Sequence, residues 1–229
     1  MSEPAKPAAQ PQRGRQVRLL LASSNPGKLR EYRALAAAGP ADICINLDLL
    51  PGFSQLPAFD ESAPTFAENA AGKAVHYSRF SPLPLIADDS GLVVDALGGA
   101  PGVHSARYAG EQATNAERIA KLLGELRRVA SEHGAGRQLD STISRAAHFV
   151  CIIALASAGN LKAVLSDSVS GEVLDAGRGL AGFGYDPIFL LPAIGKTFAE
   201  VTEDHKNLYS HRGKAFRKLV EFHVRSPML

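Results

Sequence analysis

Pro84-Leu85-Ile86-Ala87 is a short apolar run that ends in Asp88, Asp89, Ser90 and Gly91. A proline-bounded aliphatic run of this length reads as a buried strand. Successive side chains on a strand point to opposite faces, so the two carboxylates cannot serve one ligand together. A carboxylate beside a buried strand is costly unless it is paired or bound to a metal. One of the two is therefore expected to face a site at the strand's C-terminal end, and the other to be held by backbone or a cation. The plainer alternative is a strand-to-turn junction that Asp88, Asp89 and Ser90 merely cap.

A second group follows the aliphatic run Val17 to Ala22, where Ser23, Ser24, Asn25, Pro26, Gly27 and Lys28 lead into a helix-like segment from about Leu29 to Ala38. Strand, small polar loop and helix together aim backbone N–H groups and a helix N-terminus at an anion. Lys28 opposes the helix dipole, a cost that a bound phosphate would remove. Glu31 stands at i, i+3 spacing from Lys28 and is expected to pair with it. The glycine spacing is not that of the GxxxxGK[ST] phosphate loop. An ordinary Asn-Pro-Gly turn capped by Ser is the competing reading.

The third group lies in the C-terminal half. Gly177, Gly179, Gly182 and Gly184 surround Phe183 and Tyr185, with Asp186 before Pro187. An aromatic ring beside flexible backbone suits stacking on a nucleobase, a sequence-tolerant contact of about 1–3 kcal/mol. Phe189 reads as core, and Asp186 as a turn residue or a ligand contact. Ser210, His211 and Arg212 open a last helix running to about His223, with Ser210 as N-cap. This pair of cations also opposes the dipole, so both helix openings point to anionic or hydrogen-bond-accepting ligands. Lys206 falls in a charged, loop-like stretch, Lys196 to Asn207. Arg107, after the glycine-rich Gly98–Gly102, could clamp a phosphate bidentately.

Several elements must position these groups. Ile43 to Leu47 suits a second strand, and Leu50 to Pro64 is turn-rich with acids at Asp60 and Glu61. Thr65 to Arg79 reads as a helix with a Thr65/Glu68 capping box and one face of Phe66, Ala70, Ala74 and Tyr77. Lys73 lies off that stripe, either solvated or in contact with phosphate. Leu92 to Leu97 reads as a partner of the Pro84–Gly91 strand. Thr114 to Ser131 has a helical period, and Glu132 to Arg145 reads as an exposed loop. Ala147 to Ala156 reads as a central strand, with Leu161 to Val173 its hairpin partner across Ala158-Gly159-Asn160.

Composition narrows the class. The 229 residues are 45% hydrophobic and 21% charged, the profile of a soluble globular chain able to bury a core. A formal charge of +2 points to neither a nucleic-acid nor a membrane surface. No apolar run reaches the roughly 20 residues of a membrane helix. Cys44 and Cys151 sit in apolar runs and are expected to be buried free thiols of a reducing compartment. Residues 1–16 lack an apolar signal core and read as a disordered tail before a single domain at 17–229. A cytoplasmic location is the default.

With its segments assembled, the sequence resembles the inosine triphosphate pyrophosphatase family. The resemblance rests on Ser23-Ser24-Asn25-Pro26-Gly27-Lys28-Leu29-Arg30-Glu31, Thr65-Phe66-Ala67-Glu68-Asn69-Ala70 and Ala87-Asp88-Asp89-Ser90-Gly91-Leu92. It continues through Gly98-Gly99-Ala100-Pro101-Gly102, Ser105-Ala106-Arg107-Tyr108, Gly182 to Phe189, and Ser210-His211-Arg212. These motifs span about residues 17 to 222 in one order. The resemblance implies a mixed α/β fold with a long central sheet flanked by helices, two lobes with a cleft between them, and a homodimer. It implies Mg²⁺-dependent cleavage of ITP, dITP or XTP to the monophosphate and pyrophosphate. Carried over, Ser23 to Lys28 hold the triphosphate, Asp89 is general base and metal ligand, and Ser90 contacts substrate. Phe183, Gly184, Tyr185 and Asp186 match the base-recognition segment, and Lys206, His211 and Arg212 match further substrate contacts. Glu61 fits the second metal-binding acid, with Asp60 beside it as an alternative. The stretch Asp60-Glu61-Ser62-Ala63-Pro64 departs from the family's frequent central Thr-Gly. Competing readings are a pyrophosphatase of different base preference and a nucleotide-binding module that does not hydrolyse.

Overall fold

The computed structural model describes residues 15–134 and 143–225. The expected tail and most of the expected 132–145 loop lie outside them, although Arg15 and Gln16 already belong to the first strand and Glu132 to a helix. The aliphatic run after the tail forms β1 (Arg15–Leu21), followed by α1 (Pro26–Ala37), β2 (Ile43–Leu49) and α2 (Phe66–Ser78). Then come β3 (Leu85–Val94), α3 (Asn115–Gly134) and the hairpin β4 (Ala146–Ser157) and β5 (Asn160–Val173). Short strands β6 (Phe189–Leu191) and β7 (Lys196–Thr197) precede α4 (Glu203–Tyr209) and α5 (His211–Arg225).

The strands form one seven-stranded sheet in the order β2-β1-β3-β4-β5-β6-β7. It is mixed: β1 runs parallel to β2 and β3, whereas β3, β4, β5, β6 and β7 pair antiparallel in turn. The long antiparallel register Leu85↔Ala156 to Val94↔Ala147 fixes which face each β3 side chain takes. Leu19, Leu21 and Ile86 pack with Tyr32 and Leu35 of α1 and with Phe216 and Leu219 of α5. Leu20, Ala22, Leu85 and Ala87 pack on the other face with Ala70, Ala74 and Tyr77 of α2. A third cluster gathers Leu92, Phe149, Phe189 and Phe198 with Leu122 and Leu126 of α3. Two-residue alternation therefore puts Asp88 on the α1/α5 face and Asp89 on the α2 face.

Thr65 caps α2 as its sequence suggests: its hydroxyl accepts the Glu68 N–H at 3.2 Å and donates to Glu68 Oε2 at 2.7 Å. Ser210 likewise accepts the Gly213 N–H at 3.0 Å at the start of α5. Four readings need correction. Leu92–Val94 continue β3 and Asp95–Leu97 form a single 3-10 turn, so the strand's partner is β4. The strand-to-turn alternative is not seen, because β3 runs on through Gly91; a Cβ there would meet the Gly102 carbonyl oxygen at 2.5 Å, so the glycine allows close packing. Lys196–Asn207 is no loop: it contributes β7 and most of α4, capped by Thr202. Cys151 is buried but Cys44 is exposed, because alternation along β2 turns it away from the core face that Ile43 and Leu47 join. No helix among the described residues is long and apolar enough to cross a membrane.

Candidate active site

A cavity of about 480 Å³ collects the groups that the sequence singles out. Ser23, Ser24, Asn25 and Lys28 enter it from the β1–α1 junction, Asp89, Ser90 and Gly91 from β3, and Glu61 and Lys73 from the acidic loop and α2. Phe183, Gly184, Tyr185 and Asp186 line it with Lys206, His211 and Arg212. Pro26 and Gly27 do not line it; they form the first turn of α1 behind it.

At the β1–α1 junction the helix opening is capped by Asn25, not by serine. Its Oδ1 accepts the N–H groups of Gly27 at 2.9 Å and Lys28 at 3.2 Å. Those two backbone donors are thus already committed, which leaves side chains as the cationic feature of this wall. Lys28 does not pair with Glu31. It reaches across to β3, 3.0 Å from Asp88 Oδ1. Burial alone would raise the Asp88 pKa, but Lys28, then Arg212 and Lys73, outweigh it and hold the group at about 2.

Asp89, on the other face, differs in kind. Its Oδ1 accepts the Ser90 N–H at 3.0 Å, while its Oδ2 is buried with no hydrogen-bond partner. Burial pushes its pKa up, and neighbouring Asp88 and Glu61 add to this against the opposing charges of Lys28 and Lys73. An ionisable oxygen that is buried, unpartnered and held above its usual range is the signature of a group kept for chemistry. Lys73 is not solvated: it is buried and lies 3.1 Å from Glu61 Oε1. Arg107 fastens the same loop by donating to the Glu61 carbonyl at 2.9 Å. Asp60 is exposed, accepts from Ser62 at 2.7 Å and does not line the cavity, so Glu61 is the acid that the loop presents.

The other end of the cavity rests on a buried ionic chain. Lys206 lies 2.6 Å from Glu31 Oε1 and 2.5 Å from Asp186 Oδ2. Glu31 also binds Arg212, whose Nη2 donates to Ser90 Oγ at 2.9 Å. Burial would raise Glu31, yet Arg212 and Lys206 bring its pKa below the usual value. Arg212 is thus anchored at two nitrogens while it lines the cavity, and its Nε is buried without a hydrogen-bond partner. Asp186 Oδ2 also accepts the Phe183 N–H at 2.8 Å and so shapes the loop that carries the ring. His211 stacks on Phe149 at 4.7 Å between centroids, and its Nδ1 is buried without a partner. Burial, with Arg212 and Lys206 nearby, lowers its pKa well below the ordinary value, so the ring is neutral.

Sequence reasoning missed Phe149, which reads as an ordinary core residue of β4, and the rim residues Asn115 and Arg118 of α3. It also missed Glu31 as the hub of the ionic chain. The only sequence signal for Glu31 is its i, i+3 spacing from Lys28, which pointed to a cation that pairs with Asp88 instead.

A mixed sheet whose central strand presents an unpaired carboxylate to a cation-walled cavity, with aromatic rings at its far end, defines an α/β protein shaped for a compact polyanion attached to a flat ring. The chain belongs to the Ham1 family, whose model matches residues 19–222. It is 48% identical to a dITP/XTP pyrophosphatase of Geobacillus kaustophilus over 89% of this chain and 92% of that protein. It is 45% identical to a dITP/XTP pyrophosphatase of Ralstonia nicotianae over 89% of this chain and 95% of that one. Among solved structures, a HAM1 protein from Coxiella burnetii superposes with a TM-score of 0.77 at 40% identity, covering 92% of this chain and 100% of that one.

Proposed function

We infer that this protein hydrolyses non-standard purine nucleoside triphosphates (ITP, dITP and XTP) to the monophosphate and pyrophosphate, clearing them from the nucleotide pool. The observation that carries the reading is Asp89, whose partnerless buried oxygen opens on the same cavity as Lys28, Lys73 and Glu61. Membership of a family whose similar proteins bear the name dITP/XTP pyrophosphatase supports the substrate class.

The donor set fits a hard divalent cation. Asp89 and Glu61 offer carboxylate oxygens to one cavity, and the described residues contain no cluster of three or more His, Cys, Asp or Glu. Two carboxylates completed by phosphate oxygens and water is the pattern that Mg²⁺ favours. Bound there, Mg²⁺ would offset charge on the phosphate oxygens. The protein's own groups do the rest. Lys28 and Lys73 draw the triphosphate in and neutralise part of its charge. Asp89 accepts a proton from the water that attacks the α-phosphorus, a role that its raised pKa favours. The new bond joins water oxygen to that phosphorus, and the bond from it to the bridging oxygen breaks, releasing pyrophosphate. Phe183 supplies a stacking surface for the base, held by Asp186 and Lys206. A homodimer with a cleft between two lobes, working in the cytoplasm without nucleic acid or membrane, belongs to the same reading.

The test is pyrophosphate release from ITP, XTP, dITP, GTP and dTTP, with and without Mg²⁺. Turnover confined to the first three and lost with chelator is the expected result. Equal rates on GTP or dTTP would move the base preference, and no pyrophosphate from any of them would remove the hydrolase reading.

A further inference from the structure

Glu61 reaches the cavity from a stretch with no regular structure: residues 57–63 lie between the 3-10 turn Phe53–Gln55 and α2, in neither helix nor strand. One helix nevertheless ties this backbone down on both sides of the acid. Asn69, only 1% exposed, gives both ends of its amide to Ala63: Oδ1 accepts the N–H at 3.0 Å, and Nδ2 donates to the carbonyl at 3.2 Å. On the other side of Glu61, the Phe59 N–H donates to Tyr77 Oη at 3.2 Å, and His76 Nε2 donates to the Pro57 carbonyl at 2.8 Å. The Phe59 ring fills a notch over Gly72, where a Cβ would overlap its Cζ. Asn69, Gly72 and His76 stand at i, i+3 and i+7, one stripe of α2.

Asp60, Glu61 and Ser62 alone separate the two anchors, so the anchors decide where the Glu61 carboxylate stands. Asp89, the other carboxylate of the pair, is fixed by β3 and needs no such ties. Asn69, Gly72 and Phe59 do not line the cavity, so they act on it only through the loop. We propose that Asn69 is a positioning residue for Glu61, holding its carboxylate where a divalent cation shared with Asp89 is bound. The inference rests on the nucleotide-hydrolase reading, which gives those two acids to the cation, and adds to it the residue that fixes the loop-borne one. Ordering a free backbone at the moment of binding costs conformational entropy. Ties already made on folding remove that cost and raise the affinity.

The test is Mn²⁺ binding to the protein without nucleotide, followed by the EPR signal of the free ion, beside pyrophosphate release from ITP over a range of Mg²⁺. Asn69→Ala suits a helix and leaves Ala63 to water. It is expected to weaken Mn²⁺ by about tenfold, the scale of a lost outer-shell partner. The Mg²⁺ concentration for half-maximal rate should rise in parallel, with kcat and KM for ITP at saturating Mg²⁺ close to the parent values. Gly72→Ala, whose methyl group displaces the Phe59 ring at the other anchor, should weaken Mn²⁺ in the same direction, and it carries the test if the first variant does not fold. Glu61→Gln tests the route: in that background neither change should cause a further loss. An additive loss there, an unaltered Mn²⁺ affinity in the folded variant, or a fall in kcat that saturating Mg²⁺ does not restore would each overturn the proposal. A protein in which Asn69 and Glu61 are coupled in Mn²⁺ binding, yet which releases no pyrophosphate from ITP, would instead sink the hydrolase reading alone.

Discussion

Lys206 places its ammonium 2.5 Å from Asp186 Oδ2, the same oxygen that receives the Phe183 N–H at 2.8 Å. One carboxylate thus ties the Phe183 ring to the chain that runs through Glu31 and Arg212 to Asp88 and Lys28. Asp186→Asn keeps an acceptor for Phe183 but removes the charge facing Lys206, which retains Glu31. Burial raises the pKa of Asp186 against the pull of Lys206, so its ionisation does not add to stability and the midpoint of unfolding should hold near the parent value. KM for ITP should rise by more than kcat falls, since the damage lies at the base end. Urea unfolding and steady-state kinetics on the same preparation separate the two effects.

Asp89→Asn should separate activity from stability. Burial raises the pKa of this carboxyl, so its ionised form is disfavoured in the folded state relative to the unfolded chain. Such a group favours folding while protonated and loses that contribution as pH rises through its folded pKa. A permanently neutral side chain escapes the loss. Turnover should drop by about 10²–10⁴-fold, as expected for a missing general base. The midpoint of thermal unfolding at pH 7 should hold or rise, by about 1 kcal/mol in stability. A variant with near-normal turnover would take Asp89 out of this role.

Asp88 has the opposite sign. Its pKa falls from 3.8 to about 2, so the ionised group contributes stability above pH 4 that disappears as pH drops through 2. The shift corresponds to about 2 kcal/mol. Asp88→Asn should therefore be less stable than the parent by roughly that amount at pH 7, with the gap closing between pH 4 and 2. Neutral His211 also erodes stability once pH falls below its unfolded-state value, but it does so in both proteins and cancels in the difference. Urea titrations at pH 7, 4 and 3 check the convergence; a gap independent of pH would assign the loss to packing.

What could be read in advance was what the local backbone dictates. The opposite placement of Asp88 and Asp89 follows from the two-residue repeat of a strand, and the Thr65/Glu68 cap from a three-residue spacing. The partners of the charges were not legible, because they are chosen by sheet order. Lys28 had a local candidate in Glu31 and took Asp88 instead, sixty positions on, since β3 lies beside β1. Lys73, off the apolar stripe of α2, could be read only as solvated or in contact with phosphate, yet the acidic loop folds back and covers it with Glu61. Phe149 gave no sign of a site because an aromatic in a central strand is usually core; only the packing of α5 brings His211 onto its face.

Gly27 provides a test of how the two ends of the cavity are joined. It sits in the first turn of α1, and a Cβ built there would stand 2.8 Å from Phe183 Cδ1 and 3.1 Å from Asn25 Oδ1. Its backbone is helical, so alanine brings no strain of conformation and gains about 1 kcal/mol in intrinsic helix preference. The methyl group must instead displace the Phe183 ring, which is the movable end of a side chain. Gly27→Ala should therefore leave thermal stability close to the parent value while KM for ITP rises by about 3- to 10-fold, within the worth of one base-stacking contact. Pyrophosphate affinity should stay unchanged, because Lys28 and its Asp88 partner are not displaced. A loss of pyrophosphate affinity with normal KM would show that the methyl disturbs the Asn25 cap and not the ring.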